Sequence, residues 1–354
     1  MEERDYQYWL AQAAGVHAGE LRRLLSLYGT AQALYESRNW PAADRIKESA
    51  ESGRREINAL LAERDGLEKE GIRWCFLEDP AYPKRLRELP DAPPGLYYKG
   101  RLPPEDRPSV GIVGARSCSA YGRSRAEYFG GELAAQGLSV ISGMARGIDG
   151  YAQAAAVQSG GSFAVLGCGV DICYPAAHQA LYDQLCESGG VISELRPGTP
   201  PLAYHFPLRN RIISGLSDIL LVIEAREKSG SFITVDYALE QGRDVMALPG
   251  RVGDELSSGC NRLIRQGAGI LIDCADVFEA LHLEFRQLEK AGLKTEELTP
   301  EQSAVWKLMG AMPKHLDRLL EESGLSLGEL SLRLLELEGM GRIRQISSGQ
   351  YARR

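Results

Sequence analysis

The sequence predicts an α/β fold with a doubly wound, mostly parallel sheet at its centre. Short apolar runs bounded by glycine recur through the middle of the chain, and such runs are typical of strands buried on both faces of a parallel sheet. Helical stretches separate the runs, as the crossover connections of βαβ units require. The predicted strands are Val110–Val113, Leu138–Ile141, Phe163–Leu166, Gly190–Ile192, Ile219–Ile223, Val245–Leu248 and Gly269–Ile272.

The region before this alternation has a different character. Residues 1 to about 70 are polar-faced and helical in pattern. A turn at Gly15–Val16 suits either a helix-hairpin-helix, which often grips DNA backbone, or a plain helical bundle, which we favour. Ile72–Leu77 and Leu96–Lys99 are predicted as strands, with a proline-rich path between them. We therefore expect a helical domain over 1–70 and the sheet domain over 71–285.

The end of the chain predicts a winged-helix-like domain over residues 296–354. A charged segment, residues 284–300, precedes it and is predicted to be helical or a linker. Three helical patterns and a hairpin with Ser348–Gly349 at its turn make up the domain. Its would-be recognition helix is acidic, which disfavours reading of a duplex groove and favours contact with protein. The charged residues in question are Glu329, Glu336, Glu338 and Arg333.

Composition and charge narrow the class of protein. The chain has 354 residues, of which 41 are lysine or arginine and 48 are aspartate or glutamate, for a net charge of −7. This balance predicts no general basic coat and by itself counts against nucleic acid as a partner. Seven cysteines without metal-ligand spacing suit a reducing cytosol. No apolar stretch approaches the roughly 20 residues of a membrane span, and the acidic start predicts no signal peptide, so we expect a cytoplasmic protein with no membrane partner.

Glycine-bearing turns follow several of the predicted strands. In an open parallel sheet, ligands bind outside the carboxyl ends of the strands. Glycine lets a ligand approach the backbone, and helix N-termini offer free N–H groups to anions. A single such turn is more simply a capped connection, but several on one edge favour a phosphate-binding surface. The candidate residues are Gly114, Ala115, Arg116, Ser142, Gly143, Arg146, Ser229, Gly230, Ser231 and Thr234.

The segment His205–Ser214 carries the strongest local signal. It places an aromatic residue, Phe206, ahead of Asn210 and its two flanking arginines, Arg209 and Arg211. Stacking combined with phosphate contacts is the combination that proteins use to bind single-stranded nucleic acid. Arginine also suits phosphate and base recognition better than a point charge does. A structural use of Phe206 and Asn210 stays open.

Several classes of enzyme lack their motifs in this sequence. The dinucleotide fingerprint is missing, because Gly111–Gly114 has the wrong spacing and the second strand ends in Ser142–Gly143 without the acidic residue expected to hold an NAD ribose. There is no Walker A sequence, and the five histidines are dispersed. Cys168 and Cys173 suit buried small hydrophobes better than a reactive thiol. We expect no cofactor, no metal site and no catalysis.

Four carboxylates are predicted near the same sheet edge as the glycine turns. Acid/base chemistry stays open for them, although hydrogen bonds that set the fold are the favoured interpretation. These residues are Asp149, Asp171, Glu194 and Glu224.

The ordered motifs resemble the DNA-processing protein A family (DprA, also called Smf) from about residue 71 to 280. One departure is Gln153, where the family usually has histidine after the Gly-Ile-Asp turn. The matching segments are Gly111–Arg116, Ser142–Asp149, Ala164–Gly169 with Tyr174-Pro175, Phe206-Pro207 with Arg209–Ser217, Glu224-Ala225 with Ser229–Ser231 and Thr234, Leu248–Gly250, and Gly259–Asn261 with Leu263-Ile264 and Gly267-Ala268.

The resemblance implies an extended Rossmann domain that binds single-stranded DNA, protects incoming strands and forms a homodimer. It also implies a partner, the RecA recombinase, which the family helps to load during natural transformation without catalytic turnover. On matching positions, Gly114–Arg116 and Arg209–Arg211 would grip phosphates and Phe206 would lie near a base. Leu263 and Ile264 would contribute to the dimer, although apolar residues there suit a core equally well.

A rival hypothesis is a Rossmann protein that binds or hydrolyses a small nucleotide. Related proteins that hydrolyse nucleoside monophosphates carry a Pro-Gly-Gly-x-Gly-Thr motif. The comparable segment here, Ser229–Thr234, lacks that glycine pattern. Hydrolysis is therefore the less favoured alternative.

Overall fold

The protein is described by a computed structural model that covers residues 1–13, 16–37, 40–285, 298–310, 313–347 and 349–353. Gly15 of the predicted N-terminal turn, Ser348 of the predicted hairpin turn and most of the charged segment 284–300 lie outside these described residues. The chain divides into two compact units, 1–286 and 287–354. Each unit is described by itself below.

The first unit is built on a nine-stranded sheet with the strand order β1-β2-β6-β5-β4-β3-β7-β8-β9. The pairs β1–β2 and β2–β6 are antiparallel, whereas every other pair is parallel. The predicted fold class is thereby confirmed. The strands are β1 (Arg73–Phe76), β2 (Gly95–Gly100), β3 (Ser109–Val113), β4 (Ser139–Ser142), β5 (Ser162–Val165), β6 (Gly190–Ser193), β7 (Ile219–Val222), β8 (Asp244–Ala247) and β9 (Gly269–Ile270).

Helices cover both faces of the sheet and bury its two sets of side chains. Along β3, Val110 and Ile112 belong to one hydrophobic core and Val113 to the other, as the alternation of side chains along a strand requires. The α-helices of this unit are α1 (Glu3–Ala11), α2 (Ala18–Tyr28), α3 (Ala31–Glu36), α4 (Asp44–Arg55), α5 (Ile57–Leu67), α6 (Lys84–Arg87), α7 (Ala120–Ala135), α8 (Ile148–Ala156), α9 (Gln179–Ser188), α10 (His205–Gly215), α11 (Ser231–Glu240), α12 (Glu255–Arg265) and α13 (Cys274–Ala280).

The N-terminal helices belong to the same compact unit as the sheet. The ring of Tyr8 on α1 meets Trp74 of β1 edge-on, with centroids 5.0 Å apart. The hydroxyl of Tyr97 on β2 donates a hydrogen bond to the Tyr8 hydroxyl, 3.0 Å away and buried. One continuous hydrophobic core therefore joins the helices to the sheet. The division into a separate helical domain at 1–70 stays a prediction.

The strand order places a crevice beside β3. Connections from β3 run to β4, β5 and β6 on one side, and the chain then returns to β7 on the other side. At such a reversal the connections after two neighbouring strands leave in opposite directions and open a gap at their carboxyl ends. Here the gap lies between the turn after β3, Gly114–Arg116, and the segment after β7, which begins at Glu224. The fold thus points to this edge as the place for a ligand.

The second unit forms a winged helix, as predicted. Three helices enclose a core that includes Val305, Leu319 and Leu334, and the small sheet has the order β10-β12-β11. Arg333 on the third helix pairs with Glu301 and Glu336, so its charge is neutralised within the unit. The elements are α14 (Pro300–Leu308), β10 (Lys314–His315), α15 (Leu316–Ser323), α16 (Leu327–Gly339), β11 (Ile343–Ser347) and β12 (Gln350–Arg353).

The length and polarity of the helices show whether any of them could span a membrane. Within the described ranges, none of them combines the length and the apolar character that crossing a bilayer would require.

Candidate nucleic-acid interface

A groove of about 870 Å³ opens at the crevice beside β3, and most of the predicted DNA-binding residues line it. Its size falls in the range of sites that bind organic ligands. Three segments supply its walls: the turn after β3, the first half of α10, and the loop that leads from β7 into α11. The predicted residues among its lining are Gly114, Ala115, Arg116, Phe206, Arg209, Asn210, Ser229, Gly230, Ser231 and Thr234.

Gly114 shows why the turn after β3 needs glycine. A Cβ atom at this position would lie 2.7 Å from Cγ1 of Ile148 and 2.9 Å from the carbonyl oxygen of Glu224. The next residue, Ala115, donates its N–H to that same carbonyl at 2.7 Å. The turn is therefore held between α8 and the segment that follows β7, and it presents Arg116 at the rim of the groove.

The start of α11 forms the opposite wall. Gly230 precedes the helix, and the Ser231 N–H donates to the Ser229 hydroxyl at 3.3 Å. The hydroxyls of Ser229 and Ser231 also hydrogen-bond to each other. The N–H groups of Phe232 and Ile233 donate to the carbonyls of Ser229 and Gly230, so this wall presents the two hydroxyls and the positive end of the helix dipole. This wall therefore suits the oxygen atoms of a phosphate.

Exposed cations surround the groove. Arg116 and Lys228 are exposed, and neither forms an ion pair or hydrogen bond with any residue that the structure describes. Arg226 is exposed as well and pairs with Glu255 at 3.3 Å. The one carboxylate among the described lining residues is Asp149, which is buried. The groove therefore favours an anionic ligand.

Phe206 and Tyr174 form an aromatic face in the groove. Their ring centroids lie 5.4 Å apart with the planes tilted by 35°, and Tyr174 is 43% exposed. The guanidinium carbon of Arg116 lies 5.8 Å from the Phe206 centroid. Gly167 lies beneath Phe206, where a Cβ atom would come within 2.8 Å of the ring. A flat ring beside a free guanidinium is suited to a base with its phosphate.

Arg209 does not present its charge to the groove. Its side chain is 5% exposed and donates hydrogen bonds to the carbonyl of Gly143, at 2.9 Å, and to the carbonyl of Val165. Burial lowers the pKa of this guanidinium to about 10, which still leaves it charged at neutral pH. Gly143 must be glycine because a Cβ atom there would lie 2.6 Å from Nη2 of Arg209. Arg209 thus ties α10 to the ends of β4 and β5.

Arg211 lies away from the groove altogether. It forms an ion pair with Glu194 and a longer one, 3.5 Å, with Asp91. The reason is local: His205–Gly215 is an α-helix, and residues two apart on a helix point about 200° away from each other. The structure therefore does not bring Arg209 and Arg211 together as a phosphate grip, and Asn210 is the member of the trio that remains half-exposed in the groove.

Ser142 and Gly143, also predicted from the sequence, lie beneath the groove instead of in it. The Ser142 hydroxyl is fully buried and donates to the Ile112 carbonyl at 2.6 Å. The Gly143 N–H donates to the Asp149 carboxylate at 3.2 Å. Burial raises the pKa of Asp149, against the effect of the nearby Arg209 charge. These groups hold the end of β4 in place.

The remaining carboxylates at this edge also hold the fold. Glu224 accepts the N–H and the hydroxyl of Ser119, the residue that caps α7. Asp171 accepts the Gly198 N–H at 2.9 Å. With Glu194 paired to Arg211, each of the four predicted carboxylates has a partner within the fold. The interpretation as fold-setting hydrogen bonds accounts for all of them.

Gln153, which stands where the family usually has histidine, forms two side-chain hydrogen bonds with the backbone. Its amide oxygen accepts the Met144 N–H at 2.8 Å, and its amide nitrogen donates to the Phe163 carbonyl at 2.9 Å. Met144 adopts a left-handed backbone with φ +52°, which is unusual for a residue other than glycine. The side chain of Gln153 thus holds the turn after β4.

Replacing Gln153 by leucine is therefore expected to lower the free energy of unfolding by about 2–4 kcal/mol, because two buried backbone groups lose their partners. Urea denaturation followed by far-UV circular dichroism measures this change. Gln158→Leu is the matched control, since Gln158 is exposed. An unfolding midpoint equal to that of the control would contradict the assigned role.

Residues outside the sequence-predicted set complete the groove. Tyr174, Arg226 and Lys228 line it, and the rule that ligands bind after the strand ends would have selected Arg226 and Lys228 behind β7. Tyr174 lies farther along, in the loop between β5 and α9, and the sequence marks it only through the Tyr174-Pro175 match to the family. Arg146 lies in a neighbouring hollow considered below.

The cysteines and possible metal ligands add nothing to the groove. Burial raises the pKa of the Cys168 thiol to about 11 and also raises that of Cys173, so neither is a thiolate at neutral pH. Among the described residues, no group of three or more histidine, cysteine or acidic side chains is placed to hold a metal ion.

The predicted dimer residues lie on α12. Leu263 is 5% exposed and packs in the core, and Ile264 is half-buried against the same core. Their contribution to a dimer stays a prediction.

The fold and the groove define a class: a Rossmann-like protein with a crevice lined by cationic side chains and an appended winged helix. Comparison with known protein families identifies the same two parts of the chain. The model for DNA recombination-mediator protein A matches residues 73–282, and the DprA winged-helix model matches residues 289–349. The chain belongs to the DNA recombination-mediator protein A family, DprA/Smf, which confirms the resemblance found in the sequence.

Curated relatives come from several bacteria. Protein Smf of Synechocystis is 30% identical over 402 residues, covering 100% of both chains. Protein Smf of Escherichia coli is 38% identical over 294 residues, covering 78% of each chain. The DNA processing protein DprA of Streptococcus pneumoniae is 46% identical over 204 residues, covering 56% of this chain and 71% of the relative.

Two solved structures are similar over most of their length. DprA of Streptococcus pneumoniae superposes with a TM-score of 0.68 at 34% identity, covering 80% of this chain and 99% of that one. DprA of Helicobacter pylori has a TM-score of 0.54 at 28% identity, covering 59% and 96%. The latter structure is described as revealing a single-stranded DNA binding mode of that protein.

Proposed function

We propose that the groove binds single-stranded DNA and that the protein is a non-enzymatic recombination mediator. In this role it protects incoming strands and helps to load the RecA recombinase during natural transformation, acting as a cytoplasmic homodimer. The DNA-binding part rests on the groove, with support from the Helicobacter pylori relative. The recombinase, dimer and transformation parts rest on family membership.

One observation carries the DNA-binding proposal: a half-exposed ring, Phe206, lines the same groove as the unpaired Arg116 and the start of α11. A base that stacks on the ring would have its phosphate near Arg116, whose guanidinium carbon lies 5.8 Å from the ring centroid. Stacking is tolerant of sequence because every base has a flat face. The groove thus suits a strand of any sequence.

The same geometry favours a single strand over a duplex. A ring can stack on a base only where that base is unpaired and unstacked from its neighbours, which a duplex does not offer. The net charge of −7 also gives the protein no broad basic surface along which a duplex could lie. The proposed phosphate ligands are Arg116, Arg226, Lys228, Asn210 and the first residues of α11.

The way the acidic groups are used supports binding without catalysis. Hydrolysis of a nucleotide needs a carboxylate or another base free to activate water. Asp149, the one carboxylate among the described residues that line the groove, is buried and accepts the Gly143 N–H. We therefore propose binding without turnover. Release of free base from a panel of nucleoside monophosphates would contradict this and favour the hydrolase alternative.

A salt titration tests the proposal directly. Affinity for a single strand of about 20 nucleotides is expected to fall steeply as salt rises, with a log–log slope of about −0.7 for each phosphate contact. Three to four contacts would then give a slope of about −2 to −3. Fluorescence anisotropy with a labelled single strand and the matching duplex measures both affinities. Equal affinity for the two forms would overturn the proposed function.

A further inference from the structure

A second hollow of about 670 Å³ lies beside the groove. We call it the side hollow, and it is walled by α8, the start of α9 and the turn after β3. It shares Arg116 and Ser117 with the groove, so the two sites meet at this pair of exposed residues. Its other polar or aromatic lining residues include Arg146, Tyr151, His178 and Gln184.

The side hollow carries positive charge that the protein leaves unneutralised. Arg146 is exposed and forms no ion pair or hydrogen bond with any described residue. Other exposed arginines of this unit do pair, as Arg123 does with Glu127 and Arg196 does with Glu63. No carboxylate is present among the described residues that line the side hollow. Its surface therefore favours an anion.

Contacts with the surrounding backbone hold the His178 ring in a fixed position in the side hollow. The Met144 carbonyl lies 3.1 Å from Nδ1 of His178. Since a carbonyl can only accept, Nδ1 donates, and Nε2 is left without a partner among the described residues. A Cβ atom at Gly150 would lie 2.6 Å from Cε1 of the ring, so only glycine leaves room for it. The left-handed turn at Met144, which Gln153 holds, thereby fixes the imidazole.

An aromatic face accompanies these polar groups. Tyr151 on α8 is half-buried and lines the side hollow. The guanidinium carbon of Arg123 lies 4.6 Å from the Tyr151 centroid, which anchors the ring from outside the hollow. Tyr151 and the unpaired Arg146 line the side hollow, as Phe206 and the unpaired Arg116 line the groove. The groove and the side hollow therefore both offer an aromatic ring and an unpaired arginine, and they lie side by side.

We propose that the side hollow binds the nucleotides that continue the same DNA strand beyond the groove, with the strand crossing from one site to the other over Arg116. This inference rests on the proposed function of the groove. Arg146 contacts a continuing phosphate, Nε2 of His178 accepts a hydrogen bond from an N–H group of a base, and Arg116 holds the phosphate between the two sites. A polymer is the fitting occupant because the sites are joined at Arg116 and Ser117 and are not closed from each other.

The test is the dependence of affinity on strand length in the full-length protein. Oligothymidylates of about 3, 6 and 12 nucleotides span the range from one site to both, since sites on single-strand-binding folds cover about 4–16 nucleotides. Arg146→Ala is expected to leave the affinity for the shortest strand unchanged. For the longest strand it is expected to weaken binding about tenfold, the loss typical of one charge-assisted contact, and to reduce the salt slope by about 0.7.

Three further variants separate the possible results. His178→Gln is expected to weaken binding of the longest strand alone, and Arg116→Ala to weaken binding at every length. Arg45→Ala removes one positive charge from an exposed residue on α4 that lines neither site, and it is expected to bind as the unaltered protein does. Thermal unfolding followed by circular dichroism shows whether each variant is folded.

Each outcome decides something different. If Arg146→Ala and His178→Gln bind all lengths normally while Arg116→Ala does not, the side hollow is no part of the path and the proposed function stands. An equal loss for Arg146→Ala at every length would also overturn the continuing strand, because the hollow would then act together with the groove on the first nucleotides. Failure of the unaltered protein to bind any single strand would overturn the proposed function and this inference together.

Discussion

Replacing Arg209 by methionine is expected to lower the free energy of unfolding by about 3–5 kcal/mol, the loss typical of removing one partner from a buried charged network. Methionine fills a similar volume but leaves the carbonyls of Gly143 and Val165 without their donor. It also leaves Asp149 buried without its compensating positive charge. Urea denaturation measures the change, with Arg45→Met as the control at an exposed position.

A second substitution distinguishes this structural role from contact with DNA. Asp149→Asn removes the carboxylate charge that Arg209 compensates, so the double variant is expected to lose less stability than the sum of the single variants. Strand affinity measured on the remaining folded protein should stay close to normal. Weakened binding by Arg209→Met at unchanged stability would instead show that this arginine is a ligand of the DNA.

Replacing Arg116 by alanine is expected to reduce affinity for single-stranded DNA by about 10–100-fold, the range for a charge-assisted hydrogen bond, with a salt slope lower by about 0.7. Arg116 is expected to have the largest effect on binding because it has no acidic partner to release, borders Phe206 and lies at the junction of the groove and the side hollow. Fluorescence anisotropy across a salt series measures both quantities.

Two matched variants sharpen the prediction for Arg116. Arg116→Lys keeps the charge and loses the planar guanidinium, so it is expected to restore the salt slope but only part of the affinity. Arg45→Ala removes the same charge far from the groove in sequence and lines neither site, so it should leave binding unchanged. Equal losses in Arg116→Ala and Arg45→Ala would mean that net charge, and not the groove, governs the affinity.

Much of the fold follows from local patterns in the sequence. Every apolar run predicted as a strand is found as a strand, within one or two residues at each end. For the central strands β3 to β7 the reason is that burial on both faces requires continuous apolar residues, whereas the edge strand β9 is exposed. The turn at Gly114 and the start of α11 at Ser231 also lie where the sequence places them. A crowded strand end requires glycine and the start of a helix favours serine, so both features can be recognised from the residue types in the sequence.

The positions of the two arginines of α10 could not be predicted from local patterns in the sequence. The sequence presents Arg209 and Arg211 as equivalent flanks of Asn210, yet one is buried beneath the groove and the other pairs with Glu194 outside it. The difference arises because the segment is helical and because α10 packs against β5 on one side. Neither fact can be read from residue types at a spacing of two.

By itself, the sequence determined the class of fold, the edge of the sheet that carries the site and the resemblance to the DprA/Smf family, because each depends on a periodic pattern or an ordered set of motifs. Only the tertiary structure decided which side chains are free to meet a ligand. Tyr174 and Lys228 join Arg116 in the groove, whereas Arg209 and Ser142 become part of its support. The physical reason is that exposure and pairing depend on elements that are distant in the chain and adjacent in space.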